Sequence, residues 1–150
     1  MKKMILTGLV FIALIIASQS FAQELTWYNW EEGYAKAQQD NKIMLIDAYT
    51  DWCGWCKVMD QKTYTKAEII DLIEKEFVPI KLNPELEGSY EFSKTSYTGR
   101  ELIDHLSDNN FRGYPTTFFV FSKTDSKYME VGYKDADAFK IILEKYAEME

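Results

Sequence analysis

The chain has 150 residues, with 17 Lys and Arg against 24 Asp and Glu and a formal net charge of −7. That length supports one domain with a proper core. An acidic chain without a basic run excludes nucleic acid as a partner, because phosphate binding needs clustered cations.

In chain order, a basic start "MKK" and the apolar run 4–17 precede "SQSFAQ", which places Ser20 and Ala22 at the −3 and −1 positions of a cut after Ala22. This is the layout of a secretory signal peptide over residues 1–22, and the run is shorter than the ~20 apolar residues of a spanning helix. No cysteine lies near the cut, so a lipoprotein is not expected. The expectation is an exported, most simply periplasmic, domain over residues 23–150. Loss of Lys2 and Lys3 with the leader makes it more acidic still.

Three helix starts follow from a side-chain acceptor with Glu three residues later: Asn29 with Glu32, Thr65 with Glu68, and Thr98 with Glu101. The first opens a helix to about Asp40 that buries Trp30, Tyr34 and Ala37 on one face. The second runs to about Glu76 on Ile69, Ile70, Leu72 and Ile73; the third runs through Leu106. A last helix begins near Asp135 and repeats apolar residues at Ala138, Phe139, Ile142, Leu143 and Tyr146. "IMLIDAY" (43–49) and "FVPIKL" (77–82) read as buried parallel strands. "TTFFVF" (116–121) and "YMEVGY" (128–133), around the polar turn "SKTDSK", read as an antiparallel hairpin. Residues 83–99 form one long irregular stretch, either functional or a solvated connector. The order α-β-α-α-β-α-β-β-α predicts an α/β domain, a mixed central sheet flanked by helices.

Both cysteines, Cys53 and Cys56, sit in "TDWCGWCKVMD" (50–60). As a staple they do little, because the ring closes around Gly54 and Trp55 alone and restricts the unfolded chain weakly. Cys53 falls at a helix N-terminus, where unpaired amides and the helix dipole stabilise a thiolate. Cys56 lies one turn later, near enough to close a disulfide. Cys53 is therefore expected to be exposed and nucleophilic, and Cys56 more buried and resolving. A zinc site needs four ligands, and His105, expected on a helix surface, is the chain's single histidine. Two thiolates for a soft Cu(I) ion remain an alternative.

"LIDAYTDWCGWCK" and "FRGYPTTFFVF" resemble the two signatures of the thioredoxin-like superfamily, in the right order and over nearly the whole domain. The segment also resembles the exported thiol–disulfide oxidoreductase branch with a WCGWCK site. The resemblance implies a thioredoxin fold with an additional N-terminal helix. It also implies a Cys53 attacking thiolate, a resolving Cys56, and Asp47 as a buried acid that moves the resolving proton. Lys81 would pair with that acid, an edge-exposed lysine being the alternative. Pro115 would be a cis-proline facing the disulfide, with the Tyr114 backbone pairing with extended substrate. Trp52 would pack the site, or simply fill core, and Gly132 would keep the groove open, or simply end the hairpin. Gly54 and Trp55 depart from the Gly-Pro pair typical of thioredoxin, which bears on thiolate exposure and partner fit.

The implied function is thiol–disulfide exchange, leaning reductive, with disulfide- or dithiol-containing proteins and a membrane or soluble redox partner. No cofactor is implied beyond the Cys53–Cys56 disulfide, and no metal. A binding or chaperone-like module on the same fold is the other alternative.

Overall fold

The computed structural model describes residues 23–149. The leader expected over 1–22 lies outside them, as does Glu150. Five helices and six strands follow in the order α1 (Trp30–Asp40), β1 (Ile43–Ala48), α2 (Gly54–Lys62), α3 (Ala67–Glu76), β2 (Phe77–Leu82), β3 (Tyr90–Phe92), β4 (Thr95–Tyr97), α4 (Gly99–Leu106), β5 (Thr116–Val120), β6 (Lys127–Val131) and α5 (Ala136–Ala147). The main sheet has the order β2-β1-β5-β6. Strand β1 runs parallel to β2 and antiparallel to β5, which pairs antiparallel with β6.

This is a mixed α/β thioredoxin fold carrying an N-terminal helix. Strand β1 is buried along its whole length, as a central strand covered on both faces must be. Its side chains alternate between two cores. Ile43 and Leu45 face Ile69, Ile70 and Ile73 of α3 and Phe139 and Leu143 of α5. Met44 and Ile46 face Trp30 and Ala37 of α1 and Leu102, Ile103 and Leu106 of α4. Gly33 of α1 is demanded by this packing: a Cβ there would stand 2.4 Å from Ile80 Cγ1.

Two of the three caps form as expected. Asn29 accepts from Glu32 N–H, and Thr98 and Glu101 make a complete capping box. The Thr65–Glu68 box does not form. The Thr65 hydroxyl donates to Gln61 O instead (2.8 Å), and α3 starts at Ala67 behind Lys66, which makes no side-chain cap. Nor is 83–99 simply irregular. It holds the β3–β4 hairpin, whose turn residues Ser93 and Lys94 both take positive φ (47° and 66°). Trp30 anchors this hairpin by donating Nε1–H to Glu91 O at 2.8 Å.

Candidate active site

The link 49–52 carries the chain from the end of β1 to the start of α2. Cys53 is the N-cap of α2: its backbone N–H donates to Thr50 O (3.1 Å), and its Sγ accepts from Cys56 N–H (3.1 Å). The two sulfurs form a disulfide. A sulfur held on a free amide in the first turn of a helix sits where negative charge is stabilised, which favours the thiolate once the bond is reduced.

Exposure differs from expectation. Cys53 is only 5% exposed, against 3% for Cys56. As N-cap, Cys53 turns its sulfur back onto the first turn of its own helix rather than outward. What projects instead are the neighbouring tryptophans. Trp52 is 68% exposed, which excludes core filling, and Trp55 is 62% exposed. Trp52 is nonetheless held, by Nε1–H donation to Glu85 and by a ring contact with Tyr114 (centroids 5.8 Å). Trp55 packs on Tyr133 at 5.3 Å.

The rings of Trp55, Tyr114 and Tyr133, with Pro115 and Gly132, line a cleft of about 240 Å³. The Tyr114–Pro115 peptide is cis. Gly132 follows β6 with φ +84°, and its N–H donates to Pro115 O at 2.8 Å, which ties the cleft's two walls together. A Cβ on Gly132 would meet nothing within 4 Å, so a side chain there would occupy cleft space. Gly54, the first residue of α2, is equally open.

A charge cluster built on one buried carboxylate lies against α2, the helix that Cys53 caps. Asp47 and Lys81 are register partners on β1 and β2, so their side chains share one face of the sheet. Lys81 Nζ donates to Asp47 Oδ2 at 2.6 Å and also to Asp60 Oδ1 of α2. Asp47 is fully enclosed, while Asp60 reaches solvent. Burial raises the Asp47 pKa above the usual carboxylate range, and the Lys81 charge only partly offsets this. For Lys81, burial pulls the ammonium down, but the Asp47 and Asp60 carboxylates outweigh it and hold it above its ordinary value. Burial, then the Asp47 charge, drive the Tyr64 hydroxyl well above its ordinary value. Asp47 Oδ1 and the Tyr64 hydroxyl are buried without a hydrogen-bond partner among the described residues. Three rings surround the ammonium: Trp27 at 4.6 Å, Tyr49 at 5.0 Å and Tyr64 at 5.5 Å.

Of the expected site residues, Cys53 and Cys56 lie flanked by Trp52, Gly54 and Trp55, the cleft of Tyr114, Pro115 and Gly132 adjoins Trp55, and the Asp47–Lys81 pair meets α2 through Asp60. Asp60, Tyr64, Trp27, Glu85 and Tyr133 were not foreseen. Asp60 had a local signal, since it lies one helical turn after Cys56; Trp27 and Glu85 had none. Among the described residues no group of three or more His, Cys, Asp or Glu side chains could hold a metal ion. No described helix is long and apolar enough to cross a membrane.

Comparison with known proteins places these features in a family. The family model Thioredox_DsbH, described as "Protein of unknown function, DUF255", matches residues 16–139. The human spermatogenesis-associated protein 20 is 32% identical over 60 residues, 39% of this chain and 8% of that protein. The thiol:disulfide interchange protein DsbD of Haemophilus influenzae is 31% identical over 111 residues, 73% of this chain and 17% of its own length. The chain therefore spans less than a fifth of either relative. A thioredoxin from Thermus thermophilus superposes with a TM-score of 0.65 at 20% identity, covering 83% of this chain and 88% of that one. At that identity the superposition shows the fold.

Proposed function

Because the chain belongs to the Thioredox_DsbH family, we propose that it is an exported thiol–disulfide oxidoreductase working through Cys53 and Cys56, in the reductive direction. In the reduced protein the Cys53 thiolate attacks one sulfur of a partner disulfide. The partner's S–S bond breaks, a Cys53–partner mixed disulfide forms, and the first partner thiolate leaves to take a proton from water. Asp47 accepts the Cys56 proton, and the Cys56 thiolate attacks Cys53 Sγ. The second partner sulfur departs as a thiolate and takes up the proton that Asp47 holds, and the Cys53–Cys56 disulfide remains. Two electrons and two protons pass to the partner.

The observation that carries this reading is Cys53 Sγ accepting the Cys56 N–H at the first turn of α2, the helix whose Asp60 also meets the Asp47–Lys81 pair. The exposed rings of Trp52 and Trp55 and the cleft beside Pro115 suit an extended segment of a partner protein. Continued turnover in an oxidising compartment requires a dithiol electron donor, soluble or in a membrane. Export rests on the leader pattern of residues 1–22.

Insulin-disulfide reduction tests the chemistry: activity in the wild type that disappears in Cys53→Ser is the expected result. Cys56→Ser should accumulate a covalent partner adduct on Cys53. Adducts that form instead on Cys56 of a Cys53→Ser protein would reverse the two roles.

A further inference from the structure

Trp27 precedes α1 and belongs to neither active-site signature. Its position is fixed by backbone pairing: Tyr28 N–H donates to Pro79 O (2.9 Å), and Lys81 N–H donates to Tyr28 O (3.0 Å). Tyr28 therefore bridges to Ile80 along the outer side of β2. Side chains alternate along an extended segment, so neighbours 27 and 28 face opposite cores. Tyr28 packs with the α1 side and Trp27 with the Asp47 side.

On that side the indole ring stands 4.6 Å from Lys81 Nζ and lies nearly perpendicular to Tyr64, with ring centroids 4.8 Å apart. Tyr49 and Tyr64 complete the enclosure. A lysine has a flexible stem and three rotatable donors, and Asp60, 41% exposed, offers this one a way out to water. Aromatic faces attract a cation most strongly when water is excluded. The charged and titratable groups facing the ammonium are Asp47 from β1, Asp60 from α2, and Tyr49 and Tyr64 from the segments that follow those two elements.

We propose that Trp27 is a positioning residue for disulfide exchange: with Tyr49 and Tyr64 it forms an aromatic box that keeps the Lys81 ammonium against Asp47 and away from solvent. The inference rests on the reading of Asp47 as the acceptor of the Cys56 proton. Without the box, Lys81 shifts towards Asp60 and water. Asp47 then loses its nearest positive charge and binds its proton about tenfold more tightly.

The test is a carbon-13 NMR titration of the Asp47 carboxyl in the oxidised protein, where neither cysteine titrates. Trp27→Leu should raise the proton affinity of Asp47 about tenfold, and Trp27→Phe should restore most of the difference. Tetrafluorotryptophan placed at position 27 alone keeps the shape but weakens the π face, so it should raise the affinity while leaving thermal stability unchanged. It decides the matter if Trp27→Leu does not fold. An Asp47 titration unmoved by the fluorinated residue, or by a folded Trp27→Leu protein, overturns the proposal and leaves Trp27 as packing. The titration needs no turnover. A wild type that fails to reduce insulin would remove the oxidoreductase reading and leave this result standing.

Discussion

Trp52 donates its indole N–H to the Glu85 carboxylate, 2.9 Å from Oε2 and 3.2 Å from Oε1, while most of its surface faces solvent. The bond joins the residue before the nucleophile to the segment after β2. Nearby, Asn83 Nδ2–H donates weakly to Asp51 Oδ1 at 3.5 Å. The 83–86 segment is therefore a rim of the active site. Glu85→Ala should free the indole and lower its fluorescence anisotropy. The KM for a peptide disulfide should rise two- to fivefold, from the ~0.5–1 kcal/mol of a lost hydrogen bond, with kcat unchanged because no reacting atom is touched.

Asp47 accepts a proton only as its carboxylate. The resolving step of the wild type should therefore accelerate as pH rises through its raised pKa. Asp47→Asn should slow that step about 100-fold near neutral pH, within the range for general base catalysis. Its pH profile should then follow Cys56 alone. Stability should move the other way. A carboxyl whose folded pKa lies above 3.8 makes the wild type lose stability relative to Asn as pH climbs from 3.8 through the raised value, and the gap is constant beyond it. Rapid-quench trapping of the mixed disulfide and chemical denaturation across pH read the two effects.

Lys81→Met should be far worse than Asp60→Asn. It leaves a carboxylate that is 2% exposed without its positive partner, at a cost of about 3 kcal/mol, whereas the Asp60 side chain is 41% exposed. The deficit should be small at low pH, where Asp47 is protonated with or without Lys81. It should grow as pH passes the raised wild-type value. The double variant Asp47→Asn, Lys81→Met should recover most of the loss. Urea unfolding of the four proteins closes the cycle, and additive losses would mean that the two side chains are not coupled.

Gly54 and Gly132 should respond in opposite ways. Gly54 begins α2 with nothing within 4 Å of a built Cβ, so Gly54→Ala should stabilise by about 0.5 kcal/mol. Gly132 has φ +84°, so Gly132→Ala should cost about 1 kcal/mol of strain. Its methyl would also enter the Pro115 cleft and raise the KM for a peptide disulfide. Thermal unfolding and peptide kinetics separate the two contributions.

What could be read from the sequence was local. Strands β1 and β2 appear as apolar runs broken only by Asp47 and Lys81, and the two signatures mark both ends of the site because their chemistry sits in consecutive residues. The β3–β4 hairpin carried no such mark. Its strands are three residues long, and its turn places Ser93 and Lys94 at positive φ where Gly or Asn would give the signal. The Thr65 cap failed because a hydroxyl has more than one neighbour to bond, and Gln61 O was nearer in the fold. The box around Lys81 draws rings from three separate segments. No spacing rule connects Trp27 to Tyr64, and they meet only because Tyr28 pairs alongside β2.

Strand β1 also has a bearing on how the molecule is made. It hydrogen-bonds β2 on one side and β5 on the other, yet β5 is encoded about 70 residues downstream, some 4–14 s later at ribosomal speed. For that interval a nascent chain presents the most apolar strand of its sheet with one bare edge, a template for mispairing with neighbours. A holdase that shields this edge until Thr116–Val120 emerges would therefore raise the yield of native protein more than any agent acting on the finished fold.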